Sequence, residues 1–169
     1  MTLIADTGPI LSFARAHRLE VLHAVVGTLV IPEAVYEEIV MSGAGRPGAD
    51  EVRQAAWITQ ERVSDRAFVD QLPPSLNIGE REVLALARER GGVVLMDDHD
   101  ARRVAHEQGI ASIGSLRILA EAKQRGIIFA VKPLLDALMA TGTYLSDTLY
   151  RSFLRDMGEE EPPIAEEQQ

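Results

Sequence analysis

Residues 2–12 have the sequence TLIADTGPILS, in which a short apolar run ends at a single acid, Asp6. Thr7 and Gly8 follow, and Pro9 suits the first turn of a helix, because no hydrogen bond is required of its nitrogen there. An apolar run that ends in an acid and leads directly into a helix is typical of a buried parallel strand. Ligands of open parallel sheets bind beyond the carboxyl ends of the strands. We therefore expect a functional site at Asp6.

The rest of the chain alternates apolar runs of strand length with segments of helix length, which predicts a parallel sheet covered by helices. The predicted strands are residues 2–5, 29–31, 93–96 and 110–113, with a weaker candidate at 57–59. The predicted helices are residues 10–16, 19–26, 33–41, 50–56, 79–90, 101–108, 115–125, 131–140 and 146–157. We expect one α/β domain over residues 1–157 and an acidic, disordered tail over residues 158–169.

The composition is that of an ordinary globular protein, with 46% hydrophobic residues in a chain of 169. It contains no apolar run long enough to span a bilayer. The absence of cysteine excludes disulfides and thiolate metal sites, and we expect a cytoplasmic protein. Acids outnumber bases by 26 to 17, which argues against a protein that coats nucleic acid with a basic surface. A site built from carboxylates would itself add negative charge, so a nuclease is not excluded.

Glu80 is the acid that best fits an inward position in the helix predicted at residues 79–90. It precedes Val83 and Ala87 by three and seven residues, which places it on their apolar face. The alternative role for Glu80 is to complement the dipole at the start of the helix. Glu82 lies off this face, and we expect its side chain to be solvated.

Several acids follow the strand predicted at residues 93–96. Asp97, Asp98 and Asp100 fall within four positions, and capping of the next helix requires only one of them. Closely packed carboxylates repel each other, so a bound cation is the natural compensation. The candidate metal ligands are Asp6, Glu80, Asp97 and Asp98.

A further acid comes from the helix predicted at residues 33–41. Glu38 shares a face with Ala34 and Val35, whereas Glu37 stacks on Glu33, so Glu38 is the better inward candidate. Converging carboxylates without a histidine cluster suit Mg²⁺ or Mn²⁺. Such ions stabilise the attacking and leaving oxygens when a phosphodiester is hydrolysed.

The chain resembles the PIN-domain ribonucleases, especially the VapC-like toxins of bacterial and archaeal toxin–antitoxin pairs. The resemblance extends over residues 2–150 and rests on four segments in order: ADTGPILSFARAHRLEVL, IPEAVYEEI, GEREVLALARERGGVVLMDDHDARRVAHEQGI and IGSLRILAEAKQRGII. It implies an α/β/α sandwich with a central parallel β-sheet, in which the first strand and residues 93–96 are neighbours. It further implies Mg²⁺- or Mn²⁺-dependent hydrolysis of RNA, a possible antitoxin partner and a homodimer.

The same resemblance implies roles for individual residues. The catalytic acids would be Asp6, Glu38, Glu80 and Asp98. Glu37 remains an alternative to Glu38, and the doubled acid leaves Asp97 as an alternative to Asp98. The candidate substrate-binding residues are the hydroxyls of Thr7, Ser12 and Ser115 and the guanidinium groups of Arg102 and Arg103.

Three other functions fit parts of the pattern. Asp6, Thr7 and Gly8 spell the D-T-G of aspartic proteases, but those proteins are almost entirely β. A phosphatase with an aspartate nucleophile usually has a second Asp two residues later, where this chain has Gly8. The strongest alternative is a non-catalytic PIN-fold interaction protein that binds a partner protein or RNA.

Overall fold

The computed structural model describes residues 1–160 as a five-stranded parallel sheet flanked by helices. The strands are β1 (Leu3–Ala5), β2 (Leu29–Pro32), β3 (Ile58–Glu61), β4 (Val93–Leu95) and β5 (Ser112–Ile113). Their order across the sheet is β3-β2-β1-β4-β5, and every neighbouring pair is parallel. The predicted α/β/α fold is confirmed, including the pairing of the first strand with the strand near residue 94.

The helices of this part of the chain cover the sheet and connect its strands. They are α1 (Thr7–Arg15), α2 (Leu19–Val26), α3 (Glu33–Tyr36), α4 (Ala49–Gln54), α5 (Arg66–Gln71), α6 (Ile78–Arg90), α7 (His99–Glu107), α8 (Ser115–Gln124), α9 (Lys132–Ala140) and α10 (Asp147–Asp156). The helix predicted at residues 33–41 is α-helical only to Tyr36 and continues as a π-helical turn, Glu37–Met41. Within residues 1–160, every helix is too short or too polar to cross a membrane.

The centre of the sheet is the pair β1 and β4, which align residue for residue from Leu3 with Val93 to Ala5 with Leu95. Ile4 and Val94, in the middle of the two strands, are completely buried. Strands covered on both faces must be apolar throughout, which explains why neither run alternates with polar residues. Because the strands are parallel and in register, the residues that follow them meet at one edge of the sheet.

The helix α6 lies at the middle of the molecule. It packs against β1, β2 and β4 and also against α3 and α5. Gly79, Glu80 and residues 82–87 of this helix are buried, and its exposed residues are Ile78 at the start and those from Arg88 onward. The helix ends at Gly91, whose φ of 61° is the left-handed conformation that glycine adopts most easily.

The predicted acidic tail, residues 158–169, lies largely outside the described residues, which end at Glu160. Within the described part, Glu159 is attached to the domain. Its carboxylate accepts hydrogen bonds from the side chain of Lys123 at 2.6 Å and from the backbone N–H groups of Val131 and Lys132. The chain therefore stays in contact with the start of α9 as far as Glu159.

Candidate active site

Asp6 follows β1 directly and lies at the carboxyl edge of the sheet. Its backbone N–H donates to the carbonyl of Leu95 at 2.9 Å, so it is held beside the end of β4. Only 7% of Asp6 is exposed. Burial raises its pKa to about 7, a hydrogen bond from the backbone of Thr7 opposes the shift, and the charges of Glu80, Glu38 and Asp98 raise the pKa further. The structure thus places the other three predicted catalytic acids within electrostatic range of Asp6.

The π-helical turn places Glu38 at this cluster. The hydroxyl of Thr7 donates to Oε2 of Glu38 at 2.8 Å. Gly43, just beyond the turn, is needed for this geometry, because a β-carbon there would lie 2.3 Å from the carbonyl oxygen of Ile39. Both glutamates are exposed, but only the charge of Glu38 is among those that raise the pKa of Asp6. Of the two sequence candidates, the geometry favours Glu38, and π-helical turns are frequent at functional sites.

Glu80 occupies the first turn of α6 and has both of the roles considered for it. Its side chain accepts a hydrogen bond from the backbone of Asn77, whose own side chain accepts one from the backbone of Glu80, which is a complete capping box. Burial raises the pKa of Glu80, the Asn77 hydrogen bond opposes this, and the charges of Asp98 and Glu38 add to the rise. Capping fixes the carboxylate without taking it out of the cluster.

The paired acids after β4 have separate contacts. Oδ1 of Asp98 caps α7 by accepting the N–H of Ala101 at 2.9 Å, and its charge acts on both Asp6 and Glu80. Asp97 instead accepts two hydrogen bonds from Ser115, one from its N–H at 2.7 Å and one from its hydroxyl at 2.6 Å. Asp98 is therefore the better candidate ligand, and Asp97 joins the end of β4 to the start of α8.

The other sequence candidates differ in how free they are to bind substrate. Ser115 is 3% exposed and its hydroxyl is occupied by Asp97. Ser12 accepts a hydrogen bond from the hydroxyl of Thr143 at 2.8 Å. Arg103 forms ion pairs with Asp100 and Glu107 on its own helix. Arg102 is exposed, and among residues 1–160 its side chain makes one long hydrogen bond, 3.5 Å, to the hydroxyl of Ser112, which leaves most of its guanidinium available.

Glu82 is a buried acid that the sequence analysis placed in solvent, and that expectation is wrong. Only 6% of it is exposed, and it accepts hydrogen bonds from the N–H of Ala34 at 2.9 Å and from Arg66 at 2.6 Å. These contacts hold the start of α3, the helix that leads into the turn bearing Glu38. The apolar stripe in the sequence did not predict the burial of Glu82, because α6 is buried on more than one face.

The acids fit a hard divalent cation by their chemistry. Carboxylate oxygens are the donors that Mg²⁺ and Mn²⁺ prefer, and the cluster has no cation beside Asp6 that balances its charge. As arranged among residues 1–160, no three acidic or histidine side chains lie close enough together to hold a metal ion. A bound cation would compensate the repulsion among these carboxylates and favour the ionised form of Asp6. The residues best placed for this are Asp6, Glu38, Glu80 and Asp98.

A protein-family model matches nearly the whole described chain. Residues 2–159 match the model of a family described as PIN domain, DUF3368. Among solved structures, the chain is similar to a PilT N-terminus domain protein from the hyperthermophilic archaeon Sulfolobus solfataricus P2. That similarity has 15% sequence identity and a TM-score of 0.48, and it covers 86% of this chain and 98% of the other. No curated protein matches the chain.

Proposed function

This chain belongs to the PIN-domain family, and we propose that it is a metal-dependent endoribonuclease that hydrolyses RNA phosphodiester bonds. The observation that supports the proposal best is the cluster of four acids at the carboxyl edge of the sheet. Asp6 is buried within reach of the other three charges, and its burial, reinforced by the charges of Glu80, Glu38 and Asp98, raises its pKa to about 7. A group of carboxylates that destabilise one another is expected where a cation is to be bound.

Asp6, Glu38, Glu80 and Asp98 would hold Mg²⁺ or Mn²⁺. When bound, the ion supplies charge neutralisation and Lewis-acid activation for attack by water on phosphorus. The protein supplies positioning: Thr7 orients Glu38, and the capping box orients Glu80. The free guanidinium of Arg102 suits a phosphate of the substrate, which it would hold by charge-assisted hydrogen bonds.

The test is cleavage of RNA by the purified protein in Mg²⁺ or Mn²⁺, with EDTA as the blank. We expect Glu38→Gln to abolish cleavage and Glu37→Gln, the adjacent acid on the same turn, to retain it. Asp6→Asn should also be inactive while remaining folded. Full activity in folded Asp6→Asn protein would exclude this site. Folded protein that cleaves no RNA in either metal would favour the non-catalytic interaction protein.

We also propose that the chain acts as the toxin of a toxin–antitoxin pair in the cytoplasm, with an antitoxin protein as partner and as a homodimer. The support is the resemblance of its motifs to VapC-like toxins. Induced expression in a bacterial host should arrest growth, and Asp6→Asn should relieve the arrest. Equal arrest by both proteins would argue against a toxic nuclease, and the mass of the purified protein in solution tests the dimer.

A further inference from the structure

A large cleft extends from the acid cluster to the start of α10. Its volume is about 1350 Å³. Pockets that enclose a small ligand are usually roughly 300–1,000 Å³, so this cleft has room for a longer molecule. Asp98 and Gly8 line it beside the acid cluster, and the connection between α9 and α10 lines it elsewhere. A polymer bound at the acids would therefore continue along this surface.

One wall of the cleft carries positive charge that the protein leaves without a counterion. Arg102 from α7 and Arg117 from α8 line it, and neither forms an ion pair with any residue between 1 and 160. Arg103 also lines the cleft, but its charge is balanced within α7. The chain has a net charge of −9, so two arginines without a counterion are unusual on its surface. Beside the proposed metal site, their guanidinium groups are suited to binding phosphates.

The lining of the cleft also includes apolar side chains and one exposed aromatic ring. Leu149 is 46% exposed and Tyr144 is 88% exposed. The segment that carries the ring is fixed by the preceding residue. Thr143 donates its hydroxyl to Ser12 and its N–H to the carbonyl of Leu138 at 3.1 Å. A held, exposed tyrosine is suited to stacking with a flat, unpaired base.

We propose that this cleft binds an unpaired stretch of the RNA substrate, with a base stacked on Tyr144 and phosphates held by Arg102 and Arg117. The proposal rests on the ribonuclease function proposed above. Bases of a single strand are free to stack on the exposed ring of Tyr144 while the phosphates bind the arginines. The bases of a duplex are paired and stacked inside the helix, so they are not available to Tyr144. Stacking on this ring therefore favours single-stranded over double-stranded RNA.

The test is binding of a labelled oligouridine of about twelve nucleotides, measured by fluorescence anisotropy at low salt in EDTA, so that cleavage plays no part. We expect Tyr144→Ala to weaken binding about five- to a hundredfold, since one stacked base is lost, and Tyr144→Phe to bind like the wild type. Phe129→Ala is the matched control, because Phe129 is 99% exposed but does not line the cleft.

The phosphate contact has its own measurement. Arg117→Ala should weaken binding and reduce the slope of log affinity against log salt by about 0.7. Arg53→Ala removes the same charge from α4, where Arg53 pairs with Asp50, and should leave the slope unchanged. A duplex of the same length should bind more weakly than the single strand.

The outcomes separate this proposal from the proposed function. If Tyr144→Ala and Arg117→Ala bind as their controls do, the cleft proposal is overturned even when the wild type cleaves RNA. The same holds if Tyr144→Ala keeps RNA binding but loses self-association, which would assign the surface to a second copy of the chain. If the variants lose binding and the wild type cleaves nothing, the cleft proposal stands and the ribonuclease proposal fails.

Discussion

Replacing Asp6 with asparagine should make the metal-free protein more stable. The carboxyl group has an ordinary pKa of 3.8 and a pKa of about 7 in the fold, because burial and the charges of Glu80, Glu38 and Asp98 disfavour its ionised form. One pKa unit corresponds to about 1.4 kcal/mol, so the full shift is worth about 4 kcal/mol at pH 8. Asparagine carries no charge and avoids this cost. Allowing for local repacking, we expect a gain of about 2–4 kcal/mol.

The pH dependence has a definite sign. The folded protein holds the proton of Asp6 more tightly than the unfolded chain does, so the wild type is most stable below about pH 4 with respect to this group. That stability is lost as the pH rises to about 7, where Asp6 ionises in the fold. The difference between Asp6→Asn and the wild type should therefore grow from about pH 4 to about pH 7 and level off above that.

Urea denaturation in EDTA at several pH values measures this difference. Asp50→Asn is the control, because Asp50 is exposed and paired with Arg53 on α4, and it should change little. Added Mn²⁺ should stabilise the wild type, by about 2.7 kcal/mol at a hundred times its Kd, and have little effect on Asp6→Asn. If Asp6→Asn is no more stable than the wild type at pH 8 in EDTA, Asp6 is not buried among uncompensated charges and the reasoning fails.

Five further substitutions, in three tests, concern how the cluster is supported. Glu82→Ala should destabilise the protein by about 2–3 kcal/mol in urea denaturation, because the N–H of α3 loses its acceptor, and Arg66→Ala should cost less because Arg66 is half exposed. A larger effect of Arg66→Ala would contradict this. Asp97→Ala should lower the free energy of unfolding by about 1–3 kcal/mol, because Asp97 no longer holds the start of α8. Asp98→Asn should lose Mn²⁺ binding, measured by calorimetry, with little loss of stability. If Asp97→Ala loses metal binding and Asp98→Asn loses stability, the two roles are exchanged. Gly43→Ala should destabilise the protein by about 1–3 kcal/mol and reduce RNA cleavage, because the added β-carbon would collide with the carbonyl oxygen of Ile39. Wild-type activity in this variant would show that the turn can adapt.

The central sheet and the position of Asp6 could be predicted because they follow from strong, local constraints. A wholly apolar run must be covered on both faces, and parallel strands bring their carboxyl ends to one edge. β1 and β4 meet these conditions and lie side by side, which places Asp6 beside the residues after Leu95.

The environment of Glu82 could not be predicted, because the argument assumed one buried face for α6. The stripe through Val83 and Ala87 assigns Glu82 to solvent only if the rest of the helix is exposed. In the fold, α6 is covered by strands on one side and by α3 and α5 on others, so Glu82 is buried as well. The number of neighbours around a helix depends on the packing of the whole chain, which the period of one segment does not contain.

The π-helical turn was also missed, because its sequence resembles that of an α-helix. A π turn inserts one residue into the helical repeat and so changes the direction of every side chain near it. Which of Glu37 and Glu38 points toward Asp6 depends on this change in direction. A face drawn for a regular α-helix does not include the change. Gly43 is the one local hint, since its missing β-carbon allows the backbone to approach Ile39.

The acids of the cluster show why a capping role and a site role need not exclude each other. Glu80 completes a capping box, Asp98 caps α7 and Glu38 accepts from Thr7, yet all three charges act on Asp6. Each hydrogen bond fixes a carboxylate that repulsion would otherwise drive toward solvent. The two roles can therefore be separated by chemistry. Asparagine or glutamine keeps an acceptor for the structural hydrogen bond while removing the charge that a cation requires, whereas alanine removes both.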